Sequence, residues 1–291
     1  INISNNDWRE ICEVIKKEKL DLCVMPNDLA SLKFSEEVLK PEFYVISAAG
    51  FVEKEFVKEV AKLNKKTLFR IGGAYLGEIE DALNIFYKEK NSNIILLHGF
   101  QNYPTKLEET NLALLASLKN IFGVEVGLAD HIDGGSDLAK VIPIVALSYG
   151  ATYIEKHITL DRDQKSEDFE SALDPKAFEE MVNYVRAAEI AIGESKLRGL
   201  SDATIRYRNI SRKRIVSSRK INKGEVIDKN CICFMRSDVG LTPDKIDVII
   251  GGMETIGSAE RSTDKEQMRE TFYTISDGQY AQLIIDLFGK E

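Results

Sequence analysis

Up to about residue 195 the chain alternates short apolar runs with longer amphipathic stretches. The runs are LDLCVM (20–25), FYVIS (43–47), TLFRI (67–71), IILLH (94–98), VEVGL (124–128) and TYIEKH (152–157). Between them, segments such as FVKEVAKL and FEEMVNYVRAAEIAIG carry apolar residues three and four apart, the period of a helix with one buried stripe. Helix ends are marked as well: Thr105 with Glu108 reads as a capping box, Asp174 as an N-cap before Pro175, and Gly193 as a stop. Strands that are apolar throughout, separated by helices, predict a parallel sheet covered on both faces, open or closed. Six units are visible, whereas a closed barrel of the TIM type has eight.

The texture changes after Gly193. Residues 194–209, ESKLRGLSDATIRYRN, are polar and read as a linker with room for a short helix. Residues 214–236 predict two strands around an Asn-Lys-Gly-Glu turn, and Thr242 with Pro243 predicts a short helix ending near Gly251. From Met253 onward, TFYTIS reads as a strand and QYAQLIIDLF as a helix.

Composition narrows the function classes. Apolar residues make up 44% and charged residues 30%, the balance of a soluble globular protein. A net charge of −8 lacks the basic footprint that binding a phosphate backbone requires, so nucleic acid is not an expected partner. No apolar run has the length of a bilayer span and the opening INISNNDWRE has no leader pattern, so no membrane association and a cytoplasmic location are expected. Cys231 and Cys233 form a C-x-C pair, but without a second pair at ligand spacing the four cysteines read as reduced thiols.

The three histidines, His98, His131 and His157, all fall at the C-terminal ends of predicted strands, the face on which parallel α/β folds gather ligands. All three are therefore expected at one mouth, with Asp130, Glu155 and Asp161 nearby to orient imidazoles or complete a ligand shell. Nitrogen and oxygen ligands of this kind suit Mn, Zn, Fe or Mg, with water in the open positions. Two glycine-bearing loops, RIGGAY and HIDGGS, also follow strands, where backbone N–H groups and a helix start can receive an anion. Arg70, beside the first of them, is a candidate fork for phosphate or carboxylate.

Taken in order, HGFQNYPT (98–105), GLADHIDGG (127–135) and GATYIEKHITLDRDQKSEDFESALDPKAFEEMV (150–182) resemble the motifs of the sialic acid synthase family, which includes the spore coat polysaccharide protein E group. RIVSSRKINKGEVIDKNCICFMRSDVGLTP is similar to that family's antifreeze-like (SAF) domain. The resemblance implies a TIM-type (β/α) barrel, six of its eight strands seen, over residues 1–196. It further implies a linker over 197–210, an antifreeze-like domain over 211–252 and a tail over 253–291. It implies condensation of phosphoenolpyruvate with an N-acetylated hexose such as N-acetylmannosamine, giving a nonulosonic acid and phosphate. His131 and His157 are the implied ligands of a divalent metal, Mn or Mg. Tyr103 and Gln101 are implied to line the phosphoenolpyruvate site, Asp168 to hold sugar hydroxyls, and Arg236 to reach the sugar from the partner subunit of a homodimer.

The chain departs from the family pattern at several of these places. Val45 stands at the family's strand lysine, Ala48 and Gly50 replace a serine and an acidic residue, and Arg70 and Ile71 replace Ser-Thr. Gly99, Ala129 and Phe169 replace a cysteine, a serine and a histidine-like residue. The family also carries two further strands, with an acidic residue and a lysine-glutamine pair, ahead of the position of Ile1, so the chain is expected to be a fragment, or else the product of a short, degenerate natural gene. Two other functions are compatible with the sequence. One is a sugar- or phosphosugar-binding protein that has lost turnover. The other is a barrel lyase or aldolase, in whose Schiff-base form Lys156 would act, although strand alternation turns Lys156 away from Glu155 and His157.

Overall fold

Each apolar run forms a strand of one parallel sheet in the computed structural model, which describes residues 3–196, 199–243, 248–250 and 253–256 and the single positions Glu266, Glu270 and Gln282. The chain divides into two units, Ile1–Glu194 and Ser195–Glu291.

In the first unit the strands are β1 (Cys23–Val24), β2 (Phe43–Ile46), β3 (Lys66–Arg70), β4 (Ile94–His98), β5 (Glu125–Asp130) and β6 (Ala151–Lys156). They are hydrogen-bonded in that order into a curled half-barrel. Helices α1 (Asn5–Lys17), α2 (Leu29–Phe34), α3 (Lys54–Lys62), α4 (Leu76–Lys88), α5 (Leu107–Thr110), α6 (Ala113–Phe122), α7 (Leu138–Ser148) and α8 (Pro175–Ile192) lie before, between and after the strands.

The strands are apolar throughout because both of their faces are used. Ile94, Leu96, Val126 and Leu128 point outward and pack with the helix residues Phe56, Val60, Phe86, Leu115 and Leu118. Alternate residues Val45, Leu68, Ile95, Leu97 and Ala129 form a second cluster on the concave face, with Phe43 and Tyr153 against it. Tyr153 reaches from β6 to accept a hydrogen bond from Lys66 Nζ on β3 at 2.7 Å, spanning the start of the strands.

Asp174 caps α8 as the sequence predicts, its Oδ1 accepting from Ala177 N at 2.8 Å with Pro175 in the first turn, and Gly193 ends the helix. Thr105 behaves otherwise. Helix α5 starts at Leu107 with Lys106 as its cap, and the Thr105 hydroxyl donates to the carbonyl of Asn102 at 3.1 Å. The threonine is drawn out of the capping role because its own N–H is bound to the carbonyl of His131 at 2.8 Å.

The loops after β3 and β4 and the end of strand β5 approach so closely that glycine is required between them. A Cβ on Gly72 would overlap the Gly99 carbonyl, and one on Gly99, whose φ is +125°, would overlap the Ala129 carbonyl. Gly99→Ala is expected to destabilise the protein by about 2 kcal/mol or more, since both steric overlap and a left-handed backbone oppose it. Urea midpoints measure this, with Gly77→Ala, where an added Cβ meets nothing within 4 Å, as the control expected to change little.

In the second unit, α9 (Asp202–Ser211) is capped by Ser201 and falls where the sequence reads as a linker. Strands β7 (Lys213–Ser217) and β8 (Ile232–Arg236) pair antiparallel, with Lys213 opposite Arg236. The Asn-Lys-Gly-Glu turn lies within the connection between them, Glu225 N donating to Asn222 O at 3.1 Å. The helix expected from Thr242 to Gly251 is not what forms at its far end. Val248–Ile250 is strand β9, paired antiparallel with β10 (Met253–Ile256). A β-branched Val-Ile-Ile run followed by Gly251 and Gly252 favours a hairpin over a helix end. The predicted strand TFYTIS, and QYAQLIIDLF apart from Gln282, lie outside the described residues.

Candidate active site

Strand register brings two of the three histidines together. Ala129 pairs with Glu155 and Asp130 with Lys156, so the next residues, His131 and His157, emerge side by side at the strand ends. Their ring centroids are 5.1 Å apart, and the ring of Tyr103 stands edge-on to both at 5.4 and 5.6 Å.

The hydrogen bonds of the rings define where their lone pairs lie. His131 is buried, and its Nδ1 lies 3.1 Å from the carbonyl of Ala129, which can only accept; Nδ1 therefore carries the proton and Nε2 is bare. Burial, helped by the neighbouring His157, lowers the His131 pKa to about 4, so the ring is neutral at physiological pH. Asp168 Oδ2 stands 3.5 Å from His157 Nδ1, which favours a proton there and again leaves Nε2 bare. Both Nε2 atoms are buried without a hydrogen-bond partner. An unsatisfied buried pair of this kind calls for a ligand.

Those two nitrogens fit a divalent metal. A neutral imidazole with its other nitrogen hydrogen-bonded to a carbonyl or carboxylate is the usual metal-binding arrangement. Among the described residues no group of three or more His, Cys, Asp or Glu side chains could hold an ion, so an ion bound by these two nitrogens would take its further ligands from water or substrate oxygen.

The surrounding backbone is fixed by residues that strand-end reasoning passed over. The carbonyl of His131 accepts from Thr105 N at 2.8 Å and from the buried Ser171 hydroxyl at 2.7 Å, and the carbonyl of His157 accepts from Leu173 N at 2.9 Å. Tyr103 is partly buried, and burial together with the charge and hydrogen bond of Asp168 raises its hydroxyl pKa above the usual value. Asp168 itself has φ of 59°, a left-handed conformation that aspartate tolerates better than most residues.

Other expected members go elsewhere. His98 shares the outward-facing alternation of Ile94 and Leu96, and its Nε2 lies 2.9 Å from the Thr110 carbonyl, away from the histidine pair. Asp130 also points outward, accepting from Lys156 Nζ at 2.8 Å, with both side chains 1% exposed. That pair removes Lys156 from the concave face and from Schiff-base chemistry there. Asp161 caps a short 3-10 turn, Arg162–Gln164, accepting from Asp163 N at 2.9 Å. Glu155 does face inward, but its partner is Arg70: Nη2 to Oε1 is 2.5 Å and Nε to Oε2 is 3.2 Å.

Arg70 lies between two cavities on the concave side. One, of about 400 Å³, is lined by Cys23, Val45, Tyr153, Glu155 and His157 among others. The other, of about 280 Å³, takes in Asn27, Ser47, Gly72, the exposed Gln101 and His131. The second glycine loop is not an open anion cradle, because Gly134 N donates to Glu170 O at 2.7 Å and Gly135 N to Asp133 Oδ1 at 2.8 Å. Arg236 is exposed at the end of β8 in the second unit.

Cys23 offers a check on this cavity. Surrounding protein atoms and then the Glu155 carboxylate push its thiol up to about 11, against the pull of Arg70. Cys23 is therefore expected to stay a thiol at pH 8 and to alkylate slowly despite being exposed, its rate rising about tenfold per pH unit as the thiolate fraction grows. Peptide mapping after iodoacetamide treatment across a pH series reads this; full labelling of Cys23 at pH 7 would contradict the described charge environment.

A parallel (β/α) half-barrel with a polar, histidine-paired site at the carboxyl ends of its strands defines a protein of the TIM-barrel class. Within that class, residues 1–197 match the model of the NeuB family, and the chain belongs to it. It is 32% identical over 249 residues to the N,N'-diacetyllegionaminic acid synthase of Campylobacter jejuni, covering 85% of this chain and 72% of that protein. It is 36% identical over 211 residues to a pseudaminic acid synthase of the same species, covering 72% of this chain and 60% of the relative. The crystal structure of the N-acetylneuraminic acid synthetase of Leptospira borgpetersenii superposes with a TM-score of 0.64 at 28% identity, over 72% of this chain and 71% of that one. Among the described residues no helix is long and apolar enough to cross a membrane.

Proposed function

We propose that this protein condenses phosphoenolpyruvate with an N-acetylated hexose of the N-acetylmannosamine type, forming a nonulosonic acid and releasing phosphate. The observation that carries the reading is the pair of buried, partnerless Nε2 atoms on His131 and His157. Membership of a family whose relatives include named legionaminic and pseudaminic acid synthases supports the substrate class.

In this reading, carbon 3 of phosphoenolpyruvate attacks the aldehyde carbon of the open-chain sugar, water adds at carbon 2, and the bond from carbon 2 to the phosphate oxygen breaks. A divalent ion, Mn or Mg, held by the two Nε2 atoms would supply Lewis acidity toward the sugar aldehyde. Arg70 binds the phosphate or carboxylate of phosphoenolpyruvate, supplying a cation one strand away from where Val45 has none. Gln101 and Tyr103 line that site, Asp168 holds sugar hydroxyls, and Arg236 reaches the sugar from the partner subunit of a homodimer. Orientation is the main contribution of these residues, since the reaction joins two bound molecules.

Phosphate release with phosphoenolpyruvate, Mn and a panel of N-acetylated hexoses tests the reading. The assay is run on this chain and on the chain together with whatever its reading frame encodes upstream of Ile1. No phosphate from either form with any sugar sinks it. A second reading, a sugar- or phosphosugar-binding protein without turnover, is favoured by the apolar Val45 on the concave face and by the engagement of Arg70 with Glu155. Calorimetry that detects sugar binding where no product forms would select it.

A further inference from the structure

We infer that Arg162 is a positioning residue of this site: its guanidinium clamps the segment 168–173 onto the loop after β5 and so sets His131, His157 and Asp168 relative to one another. Arg162 touches neither histidine ring. Its Nη1 donates to the carbonyls of Phe169 at 2.6 Å, Glu170 at 3.4 Å and Ala172, and its Nη2 lies 3.4 Å from Asp133 Oδ1. Three backbone carbonyls thus converge on one planar cation. The two N–H groups of Nη1 serve Phe169 and Ala172, with Glu170 sharing one at 3.4 Å, while Nη2 faces Asp133; a single ammonium nitrogen does not span both sides of this clamp.

The segment it holds reaches both histidines and Tyr103. Asp168, in its left-handed conformation, faces His157 Nδ1 and the Tyr103 hydroxyl. Ser171 donates to the carbonyl of His131, and Leu173 N donates to that of His157. On the other side of the clamp, Gly134 gives the guanidinium its space: a Cβ there would overlap both Arg162 Nη1 and the Ala172 carbonyl. Gly134 and Arg162 therefore form a matched pair, and the HIDGG glycine serves this packing and not an anion. Without the guanidinium the carbonyls lose their common donor, and the segment carrying Asp168 and Ser171 is left on the β5 loop by Gly134 N to Glu170 O and Ser171 Oγ to His131 O alone.

The inference deepens the proposed site, but its primary test needs no turnover. The chain has only three histidines, so imidazole resonances of histidine-labelled protein report the site directly. In Arg162→Ala the signals of His131 and His157 are expected to shift or broaden while His98, held to Thr110 on the outward face, stays in place. Gly134→Ala is expected to reproduce that pattern. Added methylguanidinium is expected to restore the two signals in Arg162→Ala, and Arg162→Lys to restore them only in part. With the proposed substrates, KM for the sugar is expected to rise about tenfold or more in Arg162→Ala, the size usual for residues that orient a metal site, with KM for phosphoenolpyruvate nearly unchanged. Signals of His131 and His157 that match the unsubstituted protein would overturn the inference. So would a uniform shift of all three with loss of cooperative melting, because Arg162 would then serve the fold at large. Absence of turnover in the unsubstituted protein would count against the proposed reaction alone and leave the resonance test standing.

Discussion

Replacing either His131 or His157 by alanine is expected to lower phosphate release about a thousandfold. Each ring places one bare, buried Nε2 at the site, and no third protein ligand group stands by among the described residues to compensate. On the proposed reading, loss of the ion would remove several kcal/mol of transition-state stabilisation, and about 4 kcal/mol corresponds to three decades in rate. The fold should survive the change, since the contacts that secure His131 from Thr105 and Ser171 go to its backbone carbonyl and remain in the alanine variant. Titration of Mn into the purified variants, followed by calorimetry, is expected to show loss of binding along with the rate. A variant that keeps a tenth of the activity, or binds Mn as the parent does, would remove that histidine from the proposed ligand set.

Lys156→Met is expected to destabilise the first unit strongly, costing about 3–5 kcal/mol. Lys156 and Asp130 are each 1% exposed, and the ammonium also donates to the Ile132 carbonyl at 3.3 Å while Asp130 accepts from Ile132 N at 3.0 Å. Methionine fills the space of the lysine stem but leaves a carboxylate buried with no counter-charge. The double substitution Asp130→Leu with Lys156→Met should recover a large part of the loss, because it removes both desolvated charges together. Urea unfolding of the two singles and the double forms the cycle that separates these effects. A single substitution costing less than 1 kcal/mol would mean that water reaches the pair.

Much of the fold was legible because its signals are local. Apolar runs such as IILLH and helical stretches such as FEEMVNYVRAAEIAIG carry their own periods, and the pair of Asp174 and Pro175 announces the start of α8. His131 and His157 were legible for the same reason, since a residue just past a parallel strand emerges at its carboxyl end. His98 shows how far that rule extends. It also ends a strand, but the two-residue alternation from Ile94 and Leu96 turns it outward, so strand-end position without side-chain parity overstated the cluster. Parity served Lys156 well, which points away from Glu155 as alternation requires.

Partnerships across long separations were not legible. The sequence offers Arg70 a nearby glycine loop, but the guanidinium pairs with Glu155, 85 residues away. Asp130 looks like a neighbour for His131, yet it faces the opposite side of the sheet and serves Lys156. Nothing local distinguishes Arg162 from an exposed arginine of a polar loop until the carbonyls of residues 169, 170 and 172 are seen to converge on it.

By itself, then, the sequence determined the strand and helix order, the parallel sheet and the placing of two histidines at its mouth. All of these depend on side-chain period and on chain direction, which neighbouring residues encode. Only the tertiary structure decided that both Nε2 atoms are buried and bare, that Arg70 is held by Glu155, and that Arg162 ties together the segments bearing the site. Those depend on which donors and acceptors meet once the strands are in register, and a sheet brings together residues that no local pattern relates.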